Sequence, residues 1–268
     1  MTMMETVKSR RSVRTFDGKP LTAEDREKLS EYVKTIQNPY GIPVDFVLMD
    51  AREYGLSSPV LAGEPMYAAA KVERVAHAEE AFGFSFEKFV LFAWSLGIGS
   101  TWIGGTMKRE LFEKAAGLKE NQMMPCVSPL GYPAKKMSVR ETIMRKGVKA
   151  DERKPASELF FDQAFFIPLS EENREISDAL EMLRLAPSAV NKQPWRIVRK
   201  GRDYHFFLKH DKGFAGAAVG DLQKVDMGIA LCHFMSGMKG ELKISDPGIP
   251  VETGIEYIAT VSSPETDE

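Results

Sequence analysis

A two-fold pseudo-dimer of helices and strands is the fold class that the sequence predicts, and three observations predict it. The octapeptide Pro20-Leu21-Thr22-Ala23-Glu24-Asp25-Arg26-Glu27 recurs as Pro168-Leu169-Ser170-Glu171-Glu172-Asn173-Arg174-Glu175, with five of eight positions identical at an offset of 148 residues. Each copy is followed by the same order of helix, loop and strand. Each copy later carries one strongly apolar helix, near residues 86–97 and 222–238. Two copies are too few for a solenoid, so the repeat reads as duplication and fusion of a half-size unit. The plain alternative is a coincidence of two ordinary helix starts. In a fused dimer, a site at the internal interface draws one wall from each copy.

Both copies of the octapeptide open a helix. Thr22 and Ser170 are the expected N-caps, with carboxylates in the first turn, and apolar residues follow at helical spacing: Leu29, Val33 and Ile36, then Ile176, Leu180 and Leu183. Loops at 38–42 and 187–193 come next. Strand-like runs, Val44 to Met49 and Trp195 to Val198, start directly after Pro43 and Pro194. The halves predicted on this basis are residues 1–157 and 158–268, intertwined into one globular unit.

Composition narrows the functions. The 268 residues are 43% hydrophobic and 28% charged with a net charge of −2, an ordinary globular balance without a polyanion-binding signature. Nucleic acid and membrane are not expected partners. The first ten residues are too polar for a signal peptide, and the longest apolar stretches, such as Phe89 to Trp94, fall far short of a membrane span. The expected location is the cytoplasm. Cys126 and Cys232 lack CxxC or His spacing, so two free buried thiols are expected, with no disulfide and no metal. His77, His205, His210 and His233 are scattered without motif spacing and are read as surface or packed residues, none catalytic.

Two short stretches carry the chemistry. Arg10-Arg11-Ser12-Val13-Arg14 is dense in cations, and the arginine fork matches a phosphate bidentately. Ala186-Pro187-Ser188-Ala189-Val190-Asn191-Lys192-Gln193-Pro194-Trp195 carries short polar side chains suited to hold amide donors and acceptors against a planar heteroaromatic ring. On composition alone, a basic N-terminal run is more often a solvated terminus.

With Gly97-Ile98-Gly99-Ser100-Thr101-Trp102-Ile103-Gly104-Gly105 and Gly131-Tyr132-Pro133, these stretches give the chain a resemblance to the nitroreductase family, specifically to its single-chain pseudo-dimeric branch. The resemblance implies an α+β fold, a mostly antiparallel sheet sandwiched by helices, with FMN as cofactor. It implies that Arg10, Arg11, Ser12 and Arg14 meet the FMN phosphate and ribityl chain, and that Arg153 and Lys154, ahead of Pro155, form a second phosphate-binding segment with Arg140 in reserve. It places a Gly104–Gly105 amide at flavin N5, where glycine lets backbone approach a ring closely, although a helix C-cap is the plain reading of such glycines. It sets Pro187, Ser188 and Asn191 on the ring and its pyrimidine edge. Gln193 and Trp195 are read as structural, and Trp102 is ambiguous.

Order departs from the family pattern, because the Ser-x-x-Asn-x-Gln-Pro-Trp loop usually precedes the Gly-rich segment and here follows it. The first copy has Gln37-Asn38-Pro39-Tyr40-Gly41-Ile42-Pro43 at the usual place, and the second copy lacks the Arg-x-Ser-x-Arg head. Each half keeps what the other has lost. The expectation is one complete FMN site and one degenerate one, with Pro39-Tyr40-Gly41 plugging the second pocket or covering the first. The activity implied is ping-pong hydride transfer from NAD(P)H through FMN to a nitroaromatic, quinone or similar small aromatic acceptor, with no catalytic side chain. A flavin-binding or apo scaffold without turnover is the alternative. A monomer is expected, with a homodimer possible.

Overall fold

The computed structural model describes residues 1–170 and 173–264. Its first helix, α1 (Met3–Ser9), starts in a capping box: the Thr2 hydroxyl accepts from Glu5 N, and the Glu5 carboxylate accepts from Thr2 N. The second, α2 (Ala23–Val33), is capped by Thr22 as expected, its hydroxyl 3.1 Å from Asp25 N. Strand β1 (Val44–Asp50) starts directly after Pro43 and pairs antiparallel with β2 (Met66–Glu73) from Val44–Val72 to Asp50–Met66. The apolar helix α3 (Ala78–Ser95) begins well before residue 86, and Gly97, at φ 77°, serves its C-terminal end. Then come β3 (Gly99–Ser100), α4 (Arg109–Ala116), β4 (Gln122–Met123) and β5 (Val127–Gly131).

Helices α5 (Val139–Gly147) and α6 (Ala156–Leu159) and strand β6 (Phe160–Asp162) connect to the second half. There α7 (Arg174–Leu185), a 3₁₀ turn at Ala189–Asn191, β7 (Trp195–Lys200), β8 (Asp203–Lys209), the small hairpin β9 (Ala215–Gly216) and β10 (Gly220–Asp221), α8 (Leu222–Gly237), β11 (Glu241–Lys243) and β12 (Ile255–Ser262) follow. The two sheets repeat one topology. The first runs β1-β2-β5-β3 with β4 on β2, and the second runs β7-β8-β12-β11 with β6 added beside β7. Among the named strands of the described residues only the β6–β7 pairing is parallel, apart from isolated parallel bridges at Ser12–Ser100 and Thr15–Ala62.

The second helix start corrects the sequence reading. Asn173, not Ser170, caps α7, its side chain accepting from Ile176 N at 3.0 Å, an N-cap of the strength of Ser. Ala23 and Arg174, Pro43 and Pro194, and Val44 and Trp195 all stand 151 residues apart, so the structural copies are in register three residues away from the octapeptide match. Glu171 and Glu172 lie outside the described residues.

Strand alternation sorts side chains between layers. In β2, Ala68, Ala70 and Val72 face the core around α3, whereas Tyr67 and Ala69 pack with Phe112 of α4 on the other side. Tyr204, Phe206 and Leu208 of β8 join the same central core, which holds Phe82, Phe86, Phe89, Met227, Leu231 and Phe234 from α3 and α8. The helix pair thus lies between the sheets, and α1 from the first half packs on α7 and α8 of the second.

Two glycines let that pair close. A methyl group at Gly83 would stand 2.1 Å from the Val225 carbonyl oxygen, and one at Gly228 would stand 2.1 Å from that of Glu80. The two contacts are reciprocal, as a local two-fold requires. Further along, Glu87 meets His233, so the helices run side by side in the same direction. Gly83→Ala or Gly228→Ala is expected to lower unfolding free energy by about 2–3 kcal/mol or more, because backbone cannot rotate out of the way. At Gly147, where an added methyl meets open space in α5, alanine should instead raise it by about 0.5–1 kcal/mol. Denaturant melts of the three variants read both signs.

Candidate functional site

The arginine-rich segment is laid into the first sheet by backbone. Val13 N donates to Ser100 O at 2.9 Å, Ser12 bridges Ser100, and Gly99 is bare because a methyl there would meet Val13 at 2.8 Å. On the other side Asp17 N bonds Tyr132 O and Ala134 N bonds Thr15 O, so the Gly131-Tyr132-Pro133 stretch staples the same segment. The Tyr132 hydroxyl donates to Asp25 of α2 and accepts from Thr22 N. The start of α5 clamps on from above. Thr15 donates to the buried Glu141 carboxylate at 2.7 Å, Ser138 N donates to Thr15 Oγ1, and Arg11 reaches Glu141 at 3.4 Å. Arg11 is therefore turned toward α5.

Arg10, Arg14, Arg145 and Arg153 converge. The Arg10 Nε and Nη2, Arg14 Nη1 and Arg153 Nε are sealed from solvent without an acceptor among the described residues. Burial presses the pKa of Arg10 down, with Glu87 opposing and Arg145 adding to the effect. Burial does the same to Arg14, with Glu141 opposing and Arg145 and Arg10 adding, and to Arg153, where Arg10 and Arg184 add, Asp151 opposes and Arg145 adds. Such mutual repulsion in a dry place calls for an anion. Arg140 is not part of it: it is exposed and donates to Pro59 O. Arg145, paired with Asp151, lies near the converging guanidiniums and also lines a cleft of about 400 Å³ with Lys146 and Lys149.

The loop 187–193 is held in a strained shape from outside. Val190, Asn191 and Gln193 have φ of 43°, 59° and 51°, the left-handed region that costs a non-glycine residue about 1–3 kcal/mol unless its surroundings fix it. Ser188 Oγ accepts from Gln193 N at 2.9 Å, and Gln193 Oε1 accepts from Lys154 N at 2.8 Å. Asn191 Nδ2 donates to the Lys149 and Glu152 carbonyls, and its Oδ1 receives Arg153 Nη1 at 3.4 Å. Loop and arginine cluster thereby meet at Arg153, whose guanidinium also donates to Leu185 O. Lys154 contributes its backbone N–H to the loop, while its ammonium pairs with Glu158. Gln193 and Trp195 are buried, as expected of structural residues.

Gly104 and Gly105 lie past β3, not at a helix end. A side chain at Gly104 would press on Cys126 Sγ at 3.3 Å and Leu222 at 3.4 Å, whereas Gly105 faces open space. Arg109 occupies the Gly104 carbonyl at 2.9 Å and those of Met124 and Pro125. One turn beyond Leu222 on α8, the buried Asp226 carboxylate accepts from Ala189 N. The Gly104 segment and the 187–193 loop are thus joined along one face of α8. Trp102, ambiguous from sequence, donates to Glu87 at 2.9 Å, and Glu87 Oε1 lies 3.0 Å from His233 Nε2 in the core. Glu87, Arg109, Arg145 and Asp226 escaped the sequence reading. The signal for Asp226 was a lone acid inside an otherwise largely apolar helix; Glu87, flanked by Lys88 on a helix that also holds Glu79 and Glu80, gave a weaker one.

At the pseudo-equivalent position, 151 residues before Asn191, stands Tyr40. It stacks on His77 at 5.5 Å, and its hydroxyl is sealed without a partner. Beside it the buried Glu80 lies 3.7 Å from His77 Nδ1, with Oε2 unpartnered. Burial pushes the Glu80 carboxyl up to about 7; Lys224 opposes this, and Glu79 and Glu256 add to it. The first-copy loop therefore fills this position with its own side chain. Among the described residues no group of His, Cys, Asp and Glu is arranged to hold a metal, no helix is long and apolar enough to cross a membrane, and both cysteines are free and buried.

The fold defines the class: a single chain of the nitroreductase fold, with both sheets of a pseudo-dimer on one polypeptide. The family profile described as "Putative TM nitroreductase" matches residues 2–238, and the chain belongs to that family of oxidoreductases. Among solved structures it is similar to a "putative nitroreductase" of Thermotoga maritima at 21% identity and TM-score 0.63, over 98% of this chain and 94% of that one. It is also similar to a nitroreductase with bound FMN from Bacteroides fragilis, at 23% identity and TM-score 0.41, over 51% of this chain and 91% of that one. An FMN-dependent nitroreductase of Clostridium difficile matches at 18% identity and TM-score 0.42, over 53% and 94%. No curated protein sequence matches.

Two outcomes follow from the electrostatics. Arg10→Met should stabilise the unliganded protein by about 1–3 kcal/mol, since an uncompensated buried guanidinium gives way to packing; a lower melting point in the variant refutes the reading. Glu80 has a folded-state pKa above its unfolded value, so its contribution is full below the ordinary carboxylate range and fades as pH climbs through about 7. Relative to Glu80→Gln, wild type should lose on the order of 3 kcal/mol between pH 4 and 8, and parallel stability curves would exclude this.

Proposed function

We propose that this chain is an FMN-dependent oxidoreductase that takes hydride from NAD(P)H and passes it to a nitroaromatic, quinone or similar acceptor, with one FMN per chain. The observation that carries the reading is the set of sealed guanidinium N–H groups of Arg10, Arg14 and Arg153, which lack acceptors and repel one another. A phosphate monoester supplies two charges and three acceptor oxygens, and so fits this donor set. FMN, when bound, supplies the two-electron chemistry in ping-pong order.

The chain's own residues bind and orient. Arg10, Arg14 and Arg153 hold the phosphate, with Arg145 strengthening the local positive field. Arg11 and Lys154 support the walls through Glu141 and the loop. Ser12 stands beside the phosphate residues on the strand-like segment. Pro187, Ser188 and Asn191 line the ring's polar edge, and Gly104 and Gly105 bring backbone close to the reacting face, where an amide stabilises developing negative charge. Residues 1–157 and 158–268 act as the fused halves, supplying both walls within a monomer. The reading keeps the protein in the cytoplasm, in accord with two free thiols. Asn191, whose carboxamide is engaged by Lys149, Glu152 and Arg153, favours the scaffold reading as the second choice.

Anaerobic titration separates them. Purified protein should take up close to one FMN per chain, bleach with NADH or NADPH and run as a monomer on a sizing column. Bound flavin that does not bleach would select the scaffold, and failure to bind FMN would end the flavin reading. Arg10→Met should weaken FMN by about 1.5–3 kcal/mol.

A further inference from the structure

Asp226 stands on the second turn of α8 and is only 3% exposed. Both of its carboxylate oxygens, at 3.0 and 3.1 Å, face the Ala189 N–H. Ala189 opens the 3₁₀ turn of the loop, and the residue before it, Ser188, does not cap that turn, because its hydroxyl is taken up by Gln193 N. The cap therefore comes from another element. Without it the first N–H of a turn containing Val190 and Asn191 at positive φ would lose its protein partner. Burial holds the Asp226 carboxyl well above the usual range, the Ala189 N–H opposing and Asp221 adding, so a costly group has been kept at this spot. On the same face, Leu222 and Cys126 both pack where Gly104 has no side chain.

We propose that Asp226 is a positioning residue for the flavin: by capping Ala189 from α8 it fixes the left-handed turn of Pro187–Asn191, and so the groups that the loop turns to the cofactor, in register with the Gly104 segment. The inference rests on the flavin reading above. It assigns to α8 the task of holding the two ring-facing segments at a fixed separation.

The test uses the full chain with Asp226→Leu and Asp226→Asn. The Leu variant leaves Ala189 N–H unpaired, whereas the Asn variant offers a carboxamide oxygen in the same place. FMN affinity should fall about tenfold or more in Leu and return to within about threefold of wild type in Asn, as one buried hydrogen bond dictates. The visible band of bound FMN should shift in Leu and not in Asn. In wild-type apoprotein the Ala189 amide should exchange with solvent more slowly than that of Val190, which reads the cap without FMN and without a variant that must fold. FMN affinity unchanged in Leu, or an Ala189 amide that exchanges as fast as its neighbour, overturns the inference while leaving the flavin reading intact. Wild-type protein that binds no FMN overturns the flavin reading and this inference with it.

Discussion

Everything that positions the site depends on how closely α3 and α8 approach. Gly83 and Gly228 each present bare backbone to a carbonyl of the opposite helix, and only hydrogen fits at either place. That approach brings Glu87 within 3.0 Å of His233, whose Nδ1 lies 2.9 Å from Met182 O on α7. The pair is buried yet fully partnered, since Trp102 donates to the second carboxylate oxygen. Removing one member would leave an uncompensated polar group in the core. Trp102 leads to Gly104, and the start of α8 carries Leu222 and Asp226 to Gly104 and Ala189. A shift of the helix crossing would move both segments at once.

The charges around the site are distributed so that nearby acids are already occupied. Glu141 is engaged by Arg11 and Thr15, Asp151 by Arg145, and Glu87 by His233 and Trp102. What remains is a surplus of buried positive charge on Arg10, Arg14 and Arg153. Folding alone gains nothing from such a surplus, because desolvating a guanidinium without a partner opposes the folded state. Such a surplus is the kind of local cost that a fold carries where it also carries a site, which is why the proposed phosphate position is put there.

Features governed by local chemistry were legible in the sequence: the Thr22 cap, the strands after Pro43 and Pro194, and the two apolar helices. What escaped depended on three-dimensional register. Ser170 and Asn173 are equally good caps, and only the packing of α7 chooses between them. Among the cations between 135 and 154, Arg145 differs from Arg140 by where α5 points it, although the cap at Ser138 and the i, i+4 spacing from Glu141 to Arg145 were there to be used. Asp226 gave a fainter signal, an acid amid largely apolar neighbours, and Glu87 a weaker one still. Burial explains it, but the partners lie 37 and 146 residues away in sequence.

The two halves share a topology but not a way of holding their loops. In the first, Asn38 closes the loop on itself: Oδ1 accepts from Tyr40 N and Ile42 N, while Nδ2 donates to Ile42 O and Ser85. Tyr40 then fills the space beside Glu80 and His77. In the second, the corresponding turn is fastened by groups from elsewhere, namely Asp226, the Lys149 and Glu152 carbonyls and the Lys154 amide. A loop closed mainly on itself, with Ser85 of α3 as its one outside partner at Asn38, depends little on the helix crossing. A strained loop fastened from four directions has no such independence, and any shift of α8 or of the 149–154 segment is passed on to it.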